Sequence, residues 1–228
     1  TKVMTEEIEI NGVKAIVRKD TMDLFTCKEV LKKQEYKKLQ FTGEDVVLDL
    51  GMNIGMFSIY ALNKGAKKVY SYEPNKDNFQ LAQENLKLNN IKDRRYTLTN
   101  KAVVGNSDKK RYFYENLATN KGAHSLIKVK GRNNIVVGCV NINDVVKKIS
   151  PTIIKMDIEG AEYECLKELK IWKGVNQLIL EFHHKTLKDI DTHTKYNEIL
   201  QLLKAKFNNV EGREDTKGSW YSLIYCSN

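Results

Sequence analysis

The sequence has no long apolar run. No stretch approaches the roughly 18 consecutive apolar residues of a membrane helix, so no membrane span is expected. Thr1 to Glu9 has no apolar core of the kind a secretory signal carries. Proline is scarce, and its two copies, Pro74 and Pro151, fall beside predicted strands, where proline is tolerated. Cysteine is scarce as well. Cys27, Cys139, Cys165 and Cys226 lie far apart with no C-x-x-C pair, which argues against a zinc site, a redox motif or a disulfide framework. Packed, reduced thiols are the expectation, and with them a cytoplasmic setting. There is no low-complexity linker, no repeat and no sharp break in composition. Residues 1–228 therefore read as a single domain. In that reading 1–42 is an N-terminal cap or helical segment, and 43–228 is a core with a β insertion at about 108–140.

What is present is enough for a sizeable core: 228 residues, 41% hydrophobic and 29% charged. Lys plus Arg number 38 against 29 Asp plus Glu, a net charge of +9. Part of the excess is local, because the segment from Asp108 to Arg132 holds seven positive and two negative residues. The positive ones are Lys109, Lys110, Arg111, Lys121, Lys128, Lys130 and Arg132. Such a segment attracts an anionic partner, although a solvated Lys-rich surface has the same composition.

The pattern alternates between strand and helix. Val46–Leu50 is a short apolar run ending at Gly51 and reads as a buried strand, with helical spacing from Gly55 to Asn63. Val69–Glu73 is a second strand stopped by Pro74. Asn75 caps a helix that runs to Asn89-Asn90, and Tyr96–Val104 is a third strand. Residues 111–115 and 125–140 then read as extra strands or a hairpin, with turn chemistry at Gly131-Arg132-Asn133-Asn134. Asn143–Ile149 is a short helix, Thr152–Ile158 a strand, Ala161–Leu169 a helix and Gln177–Phe182 a strand. Thr192–Phe207 is a long amphipathic helix, and Asn208–Glu214 with Trp220–Cys226 forms a closing hairpin around Thr216-Lys217-Gly218. The whole implies an α/β fold, a mostly parallel sheet covered on both faces, with ligands at the carboxyl ends of its strands.

Two constellations carry chemistry. Asp49-Leu50-Gly51-Met52-Asn53-Ile54-Gly55 is a glycine turn between a strand and a helix, but it lacks the G-x-G-x-x-G dinucleotide fingerprint. An acid at that strand end repels a pyrophosphate and favours a cationic ligand, so S-adenosylmethionine fits better than a dinucleotide. Glu73 ends the second strand, 22 residues after Gly51, the spacing of an acid that accepts hydrogen bonds from ribose hydroxyls. In the second constellation, Lys155, Asp157 and Glu159 are placed on one side of the fourth strand by alternation, and Glu181 and His183 share a face of the next. A structural ion pair of Lys155 with a carboxylate is one reading, and a cluster of acid, base and positioning groups is the other.

Asp49–Ser58 resembles the first motif of the FkbM family of S-adenosylmethionine-dependent methyltransferases. Tyr72-Glu73-Pro74 with Asn85-Leu86-Lys87-Leu88-Asn89 resembles the second, and Lys155–Glu162 is similar to the family's K-x-D-x-E-G-x-E stretch. Weaker similarity runs from about Asp23 through Asn100-Lys101-Ala102-Val103, His124-Ser125-Leu126 and Glu181-Phe182-His183. Met52 departs from the alanine usual in the first motif. The resemblance implies a class I methyltransferase (Rossmann-like) fold: seven strands, the last antiparallel, flanked by helices. It implies that Asp49, Gly51, Asn53 and Gly55 line the methionine end of the cofactor, that Glu73 takes the ribose, and that Asn100, Lys101 and Ala102 border the adenine.

The expected activity is transfer of a methyl to a hydroxyl oxygen of a small-molecule, glycan or nucleotide-like acceptor. Asp157 is the first candidate for the base, followed by Glu181 and His183, with Lys155 orienting the carboxylates and holding their pKa values down. An anionic acceptor would use the cations and the Tyr112-Phe113-Tyr114 run of the basic segment. Three alternatives stand beside this. No metal is assigned, but Asp157, Glu181 and His183 are types that would also suit a divalent ion chelating a vicinal diol. An RNA 2′-O-methyltransferase would use the positive charge, though no RNA-binding module is recognisable. A non-catalytic nucleoside-binding protein would keep the glycine turn and have no need of the second cluster.

Overall fold

The structure is a computed structural model that describes residues 3–115, 133–184, 192–212 and 221–228. It opens with a feature that the sequence pattern does not announce. The segment expected to be a helical cap begins as a hairpin, β1 (Thr5–Ile10) and β2 (Val13–Arg18), paired antiparallel with Ile10 opposite Val13. Asn11 and Gly12 turn it at φ 50 and 79°, the backbone that an Asn-Gly pair favours in a two-residue turn. The strand signal is weak in β1 because Thr5, Glu6, Glu7 and Glu9 are exposed and charge dominates the alternation. The helical part is short, α1 (Asp23–Cys27) continuing into a π turn at Lys28–Lys32.

The central sheet follows from apolar strands buried on both faces. Its strands are β3 (Val46–Leu50), β4 (Lys68–Tyr72), β5 (Tyr96–Thr99), β9 (Ile153–Met156), β10 (Gln177–His183), β11 (Asn209–Glu211) and β12 (Tyr221–Ser227). They lie in the order β11-β12-β10-β9-β3-β4-β5, with β12 antiparallel to β10 and β11. The chain crosses from β3 outward through β4 to β5 and returns on the other side of β3 as β9. That reversal opens a crevice at the carboxyl ends of β3 and β9, where ligands bind in open α/β sheets.

Strand alternation sorts the two cores. Leu48, Leu50, Ile154, Met156, Leu178 and Leu180 face one way, under α4 (Ile142–Ile149), α5 (Glu162–Glu168) and α6 (Thr192–Lys204). Val47, Val69, Ile153 and Ile179 face the other way, under α2 (Met56–Asn63), α3 (Lys76–Leu88) and the N-terminal segment. Every residue of α2 from Met56 to Leu62 is buried, so this helix is covered all round, Ser58 included. In α3 the side chain of Asn75 caps the first turn by accepting from the Asn78 amide at 2.9 Å. That cap contributes about 1 kcal/mol.

The N-terminal hairpin is clasped to α3. The Asn85 and Asn89 carboxamides accept from the amides of Ile16 (2.7 Å) and Lys14 (2.9 Å), so the edge of β2 is covered. Arg18 is buried. It grips Asp23 with two bonds (2.7 and 2.8 Å) and donates to the Asn78 carboxamide oxygen at 2.7 Å.

The expected third strand, Tyr96–Val104, divides. Tyr96–Thr99 stays in the central sheet, and Ala102–Val104 (β6) leaves it for a second sheet of order β6-β8-β7, with β7 Lys110–Glu115 and β8 Asn133–Asn141. The break falls at Asn100-Lys101, where the Asn100 carboxamide donates to the Glu73 and Pro74 carbonyls (2.8 and 3.0 Å) and turns the chain. The β insertion thus begins at Ala102. His124-Ser125-Leu126, Lys121, Lys128, Lys130, the turn at Gly131-Arg132 and the turn at Thr216-Lys217-Gly218 lie outside the described residues.

Candidate active site at the carboxyl ends of the strands

A cleft of about 520 Å³ opens at the switch point of the sheet. Gly51 and Asn53 wall it from the loop after β3, Tyr72 and Glu73 from the end of β4, and Asn78 from α3. Lys101, Ala102 and Val103 come from the turn into β6, Phe113 from β7, and Asp157, Ile158 and Glu159 from the loop after β9.

Gly51 is required by closeness. A Cβ there would stand 1.7 Å from the Asp157 carbonyl oxygen, and the residue's φ is +81°. The loops after β3 and β9 therefore touch through backbone, which brings Asp157 to the cleft. Gly55 acts differently. It precedes α2, and a Cβ would press on Ala82 of α3 at 3.2 Å, so it sets helix packing and does not line the cleft.

Glu73 is 5% exposed. Its carboxylate accepts from the Asn53 and Asn75 amides, both at 2.9 Å. Burial pushes its pKa up to about 7, against the opposing pull of those two amides and of Lys155. Asn53 has φ +51°, the left-handed backbone that aims its amide at Glu73. Asn100 holds the Glu73 and Pro74 carbonyls from behind and is not among the lining residues, whereas Lys101 and Ala102 are.

The structure corrects the placement of Asp49. It is fully buried and does not face the cleft. Alternation in β3 turns its side chain toward α2, where it accepts from Ser58 Oγ (2.6 Å) and pairs with Lys155 Nζ (3.1 Å). Lys155 also donates to the Gly51 carbonyl at 2.7 Å. The Asp49–Lys155 pair is thus a buried strut between β3 and β9, beneath the glycine turn. The Lys155 charge pulls the Asp157 pKa down, but burial outweighs it and the net shift is upward. Glu181 is raised by burial and by the Asp157 and Glu35 carboxylates. Lys155 itself is raised: burial pulls it down, and the Asp49 and Asp157 carboxylates outweigh that pull.

Asp157 and Glu159 are not on the strand, which ends at Met156. They sit in a turn where Glu159 has φ +51°. That turn folds toward β10 and gathers the second constellation around His183. His183 Nε2 lies 3.8 Å from Asp157, 3.5 Å from Glu159 and 3.7 Å from Glu181. On the other side of the ring, Nδ1 meets Glu162 Oε1 at 2.7 Å. Burial pulls the imidazole pKa down, but Glu159, Glu162 and Asp157 outweigh it and the net shift is upward.

Two residues of this cluster are not singled out by sequence reasoning. Glu162 ends the K-x-D-x-E-G-x-E motif. It is buried and accepts from the Ile158 and Gly160 amides (3.2 and 2.9 Å) as well as facing His183. Its place in the motif is the available signal. Glu35 has none, because it belongs to an irregular turn after the π segment. It shares a hydrogen bond with Glu181, and burial together with the nearby carboxylates of Asp157 and Glu29 raises its pKa.

Of the three cations in the described part of the basic segment, Arg111 is engaged by carboxylates, while Lys109 and Lys110 are exposed. Arg111 holds Glu164 through two bonds (2.8 and 2.7 Å) and Asp108 through a third at 2.8 Å. The aromatic run splits by alternation, with Tyr112 exposed and Phe113 buried against the cleft.

This sheet order, with β12 reversed and the cleft at the switch point, is the class I methyltransferase fold. A putative transferase of Pyrococcus horikoshii has the same architecture at 15% identity, covering 100% of this chain and 74% of that one with a TM-score of 0.54. So does P. horikoshii TYW2, solved in complex with MeSAdo, at 13% identity, with coverage of 98% and 70% and a TM-score of 0.52. Residues 49–209 match the Methyltransferase FkbM domain, and the chain belongs to this family of S-adenosylmethionine-dependent methyltransferases. A curated relative, Methyltransferase sdnD of Sordaria araneosa, is 25% identical over an alignment covering 69% of this chain and 73% of its own length. Among the described residues, no helix is long and apolar enough to cross a membrane.

Proposed function

We propose that the chain transfers a methyl from S-adenosylmethionine, held in the cleft, to a hydroxyl oxygen of a small-molecule, glycan or nucleotide-like acceptor. One observation carries this reading: Asp157 joins the two constellations, lining the cleft beside Gly51, Asn53 and Glu73 and standing within the carboxylate set that faces His183. The chemistry of the wall supports the cofactor. Glu73, Asp157 and Glu159 line the cleft against one cation, Lys101, which suits a ligand carrying a sulfonium and an ammonium and disfavours a pyrophosphate.

When bound, S-adenosylmethionine supplies an electrophilic methyl on a good leaving group. The chain's part is to bind and align. Glu73 accepts from the ribose hydroxyls, with Asn53 fixing its carboxylate. Ala102, Val103 and Phe113 offer an apolar wall to the adenine. The loop at Gly51 and Asn53 carries the methionine end, braced from beneath by Asp49 and Lys155. Asp157 and Glu181 orient the acceptor hydroxyl and take its proton, with His183 holding the carboxylates together. Alignment of acceptor and methyl supplies much of the acceleration, and a positioned base adds a further ~10²–10⁴-fold. An anionic part of the acceptor would be bound by the cations of the segment from Asp108 to Arg132.

A screen of hydroxyl-bearing metabolites, glycans and RNA with radiolabelled S-adenosylmethionine tests this. The expected product is a methyl ether. Transfer to nitrogen, or binding without transfer to any hydroxyl, would overturn it.

A further inference from the structure

Asp157, Glu159 and His183 bring three metal-ligating atoms within 4.8 Å of one another. We propose that these side chains bind a divalent cation of the Mg²⁺/Mn²⁺ class at the edge of the cofactor cleft, and that this ion receives the acceptor's hydroxyl oxygen. The second clause rests on the methyltransferase reading above; the first does not.

Four observations meet here. The spacing is close to a ligand set, since two ligands each about 2.1 Å from one ion stand about 3 Å apart at right angles. His183 Nε2 is 3.5 Å from Glu159 and 3.8 Å from Asp157, so small side-chain rotations close the set. The imidazole is already oriented for ligation. Glu162 occupies Nδ1 at 2.7 Å and is itself held by the Ile158 and Gly160 amides, which presents Nε2 to the two carboxylates. A carboxylate behind the ligating histidine is the usual support of a metal site.

The third observation is independent of those contacts. Asp157 Oδ1 is shut off from solvent and has no hydrogen-bond partner. A buried anionic oxygen left this way is costly, and the nearest ammonium, Lys155, is engaged by Asp49 and the Gly51 carbonyl. Charge is the fourth. Asp157, Glu159, Glu162 and Glu181 all face His183, so four carboxyls meet one imidazole, and Glu35 adds a fifth carboxyl behind Glu181. A divalent cation balances them.

Two carboxylate oxygens and one imidazole suit a hard or borderline ion, and the four cysteines are buried apart from the described cluster. Asp157 and Glu159 both line the cleft, so an ion held by them would border the cofactor's place. There the ion lowers the pKa of the acceptor hydroxyl. The O–H proton passes to Glu181, the O–CH₃ bond forms as the S–CH₃ bond breaks, and the demethylated thioether leaves. The ion keeps its oxidation state.

The test uses the full chain, stripped with EDTA and titrated with Mn²⁺ alone, with free Mn²⁺ read by electron paramagnetic resonance. One site is expected, displaced by Mg²⁺. Asp157→Asn and Glu159→Gln should each weaken it at least tenfold, and Glu162→Gln, a positioning change, about 10–100-fold. Thermal melting of each variant reports folding, and the Asp157 and Glu159 side chains are both partly exposed, at 26%, so neither substitution opens the core. No Mn²⁺ binding by the wild type at about 1 mM, or binding unmoved by Asp157→Asn and Glu159→Gln, would overturn the site. Methyl transfer lost in EDTA and restored by Mn²⁺ supports the second clause, and transfer indifferent to EDTA overturns it. An intact Mn²⁺ site with no methyl transfer would overturn the methyltransferase reading and leave the cation site standing.

Discussion

Cofactor affinity should depend on pH if Glu73 takes the ribose hydroxyls, as proposed. Its carboxyl is 5% exposed, and burial lifts its pKa from the ordinary 4.5 to about 7. Ionising it in the empty cleft therefore costs about 3 kcal/mol more than in water. The group is raised, so its contribution to stability is full below about pH 4.5 and is lost as pH climbs through about 7. Ribose hydroxyls donating to the carboxylate would favour its ionised form and give the bound state the lower pKa. Binding should then release a proton below pH 7. Affinity for S-adenosylmethionine should rise with pH by up to about tenfold per unit from pH 5 to 7 and level off above 8.

Calorimetry at pH 6 in buffers of different ionisation enthalpy measures the released proton directly. Glu73→Gln keeps the shape and removes the titration. It should weaken binding at pH 8 by about 1–3 kcal/mol and flatten the pH dependence. Other carboxyls in the cleft also titrate, so the decisive quantity is the difference between wild type and variant. Equal slopes in the two proteins would refute the assignment of the ribose contact to Glu73.

Four further outcomes are expected. Asp157→Asn should leave cofactor affinity within a few fold while methyl transfer falls by ~10²–10⁴, measured with the radiolabelled cofactor; an unfolded variant in a melting curve would instead mark Asp157 as structural. Gly51→Ala should cost at least about 2 kcal/mol in urea unfolding, because a Cβ would collide with the Asp157 carbonyl at a backbone conformation alanine avoids. Arg18→Met should cost about 3–5 kcal/mol by leaving Asp23 buried and uncompensated, whereas Arg18→Met combined with Asp23→Leu should recover much of it in the same assay. Changing Lys128, Lys130 and Arg132 together to Ala should raise the acceptor's KM, flatten the salt dependence of activity and leave cofactor binding unchanged in steady-state kinetics; a neutral acceptor with unaltered kinetics would reduce those charges to a solvated face.

Local signals made much of the fold legible. Val46–Leu50 ending at Gly51, Val69–Glu73 stopped by Pro74, and the amphipathic stretch from Thr192 each state their own element, because apolar periodicity and turn residues are properties of a few neighbouring positions. The motif residues followed from the same short range. Glu73 follows directly on β4, as the spacing indicated, whereas β9 ends at Met156 and leaves Asp157 beyond the strand expected to hold it. The N-terminal hairpin shows the limit. Asn11-Gly12 is a turn signal in plain sequence, but the charged face of β1 hides the alternation, and β2 is stabilised by Asn85 and Asn89, some seventy residues away.

Composition and motif thus determined the class of fold and the family, and pointed to two strand ends as the place of the proposed site. Tertiary structure decided which of the named groups face the cleft. Asp49 and Lys155 read as site residues, yet register across β3 and β9 sets them against each other and engages their charges beneath the glycine turn. Asp157 and Glu159 read as strand residues, yet a turn at positive φ swings them to His183, while Glu35 arrives beside Glu181 from an irregular turn no motif marks. Contacts between segments so distant in sequence depend on strand order and loop path, which only the assembled sheet specifies.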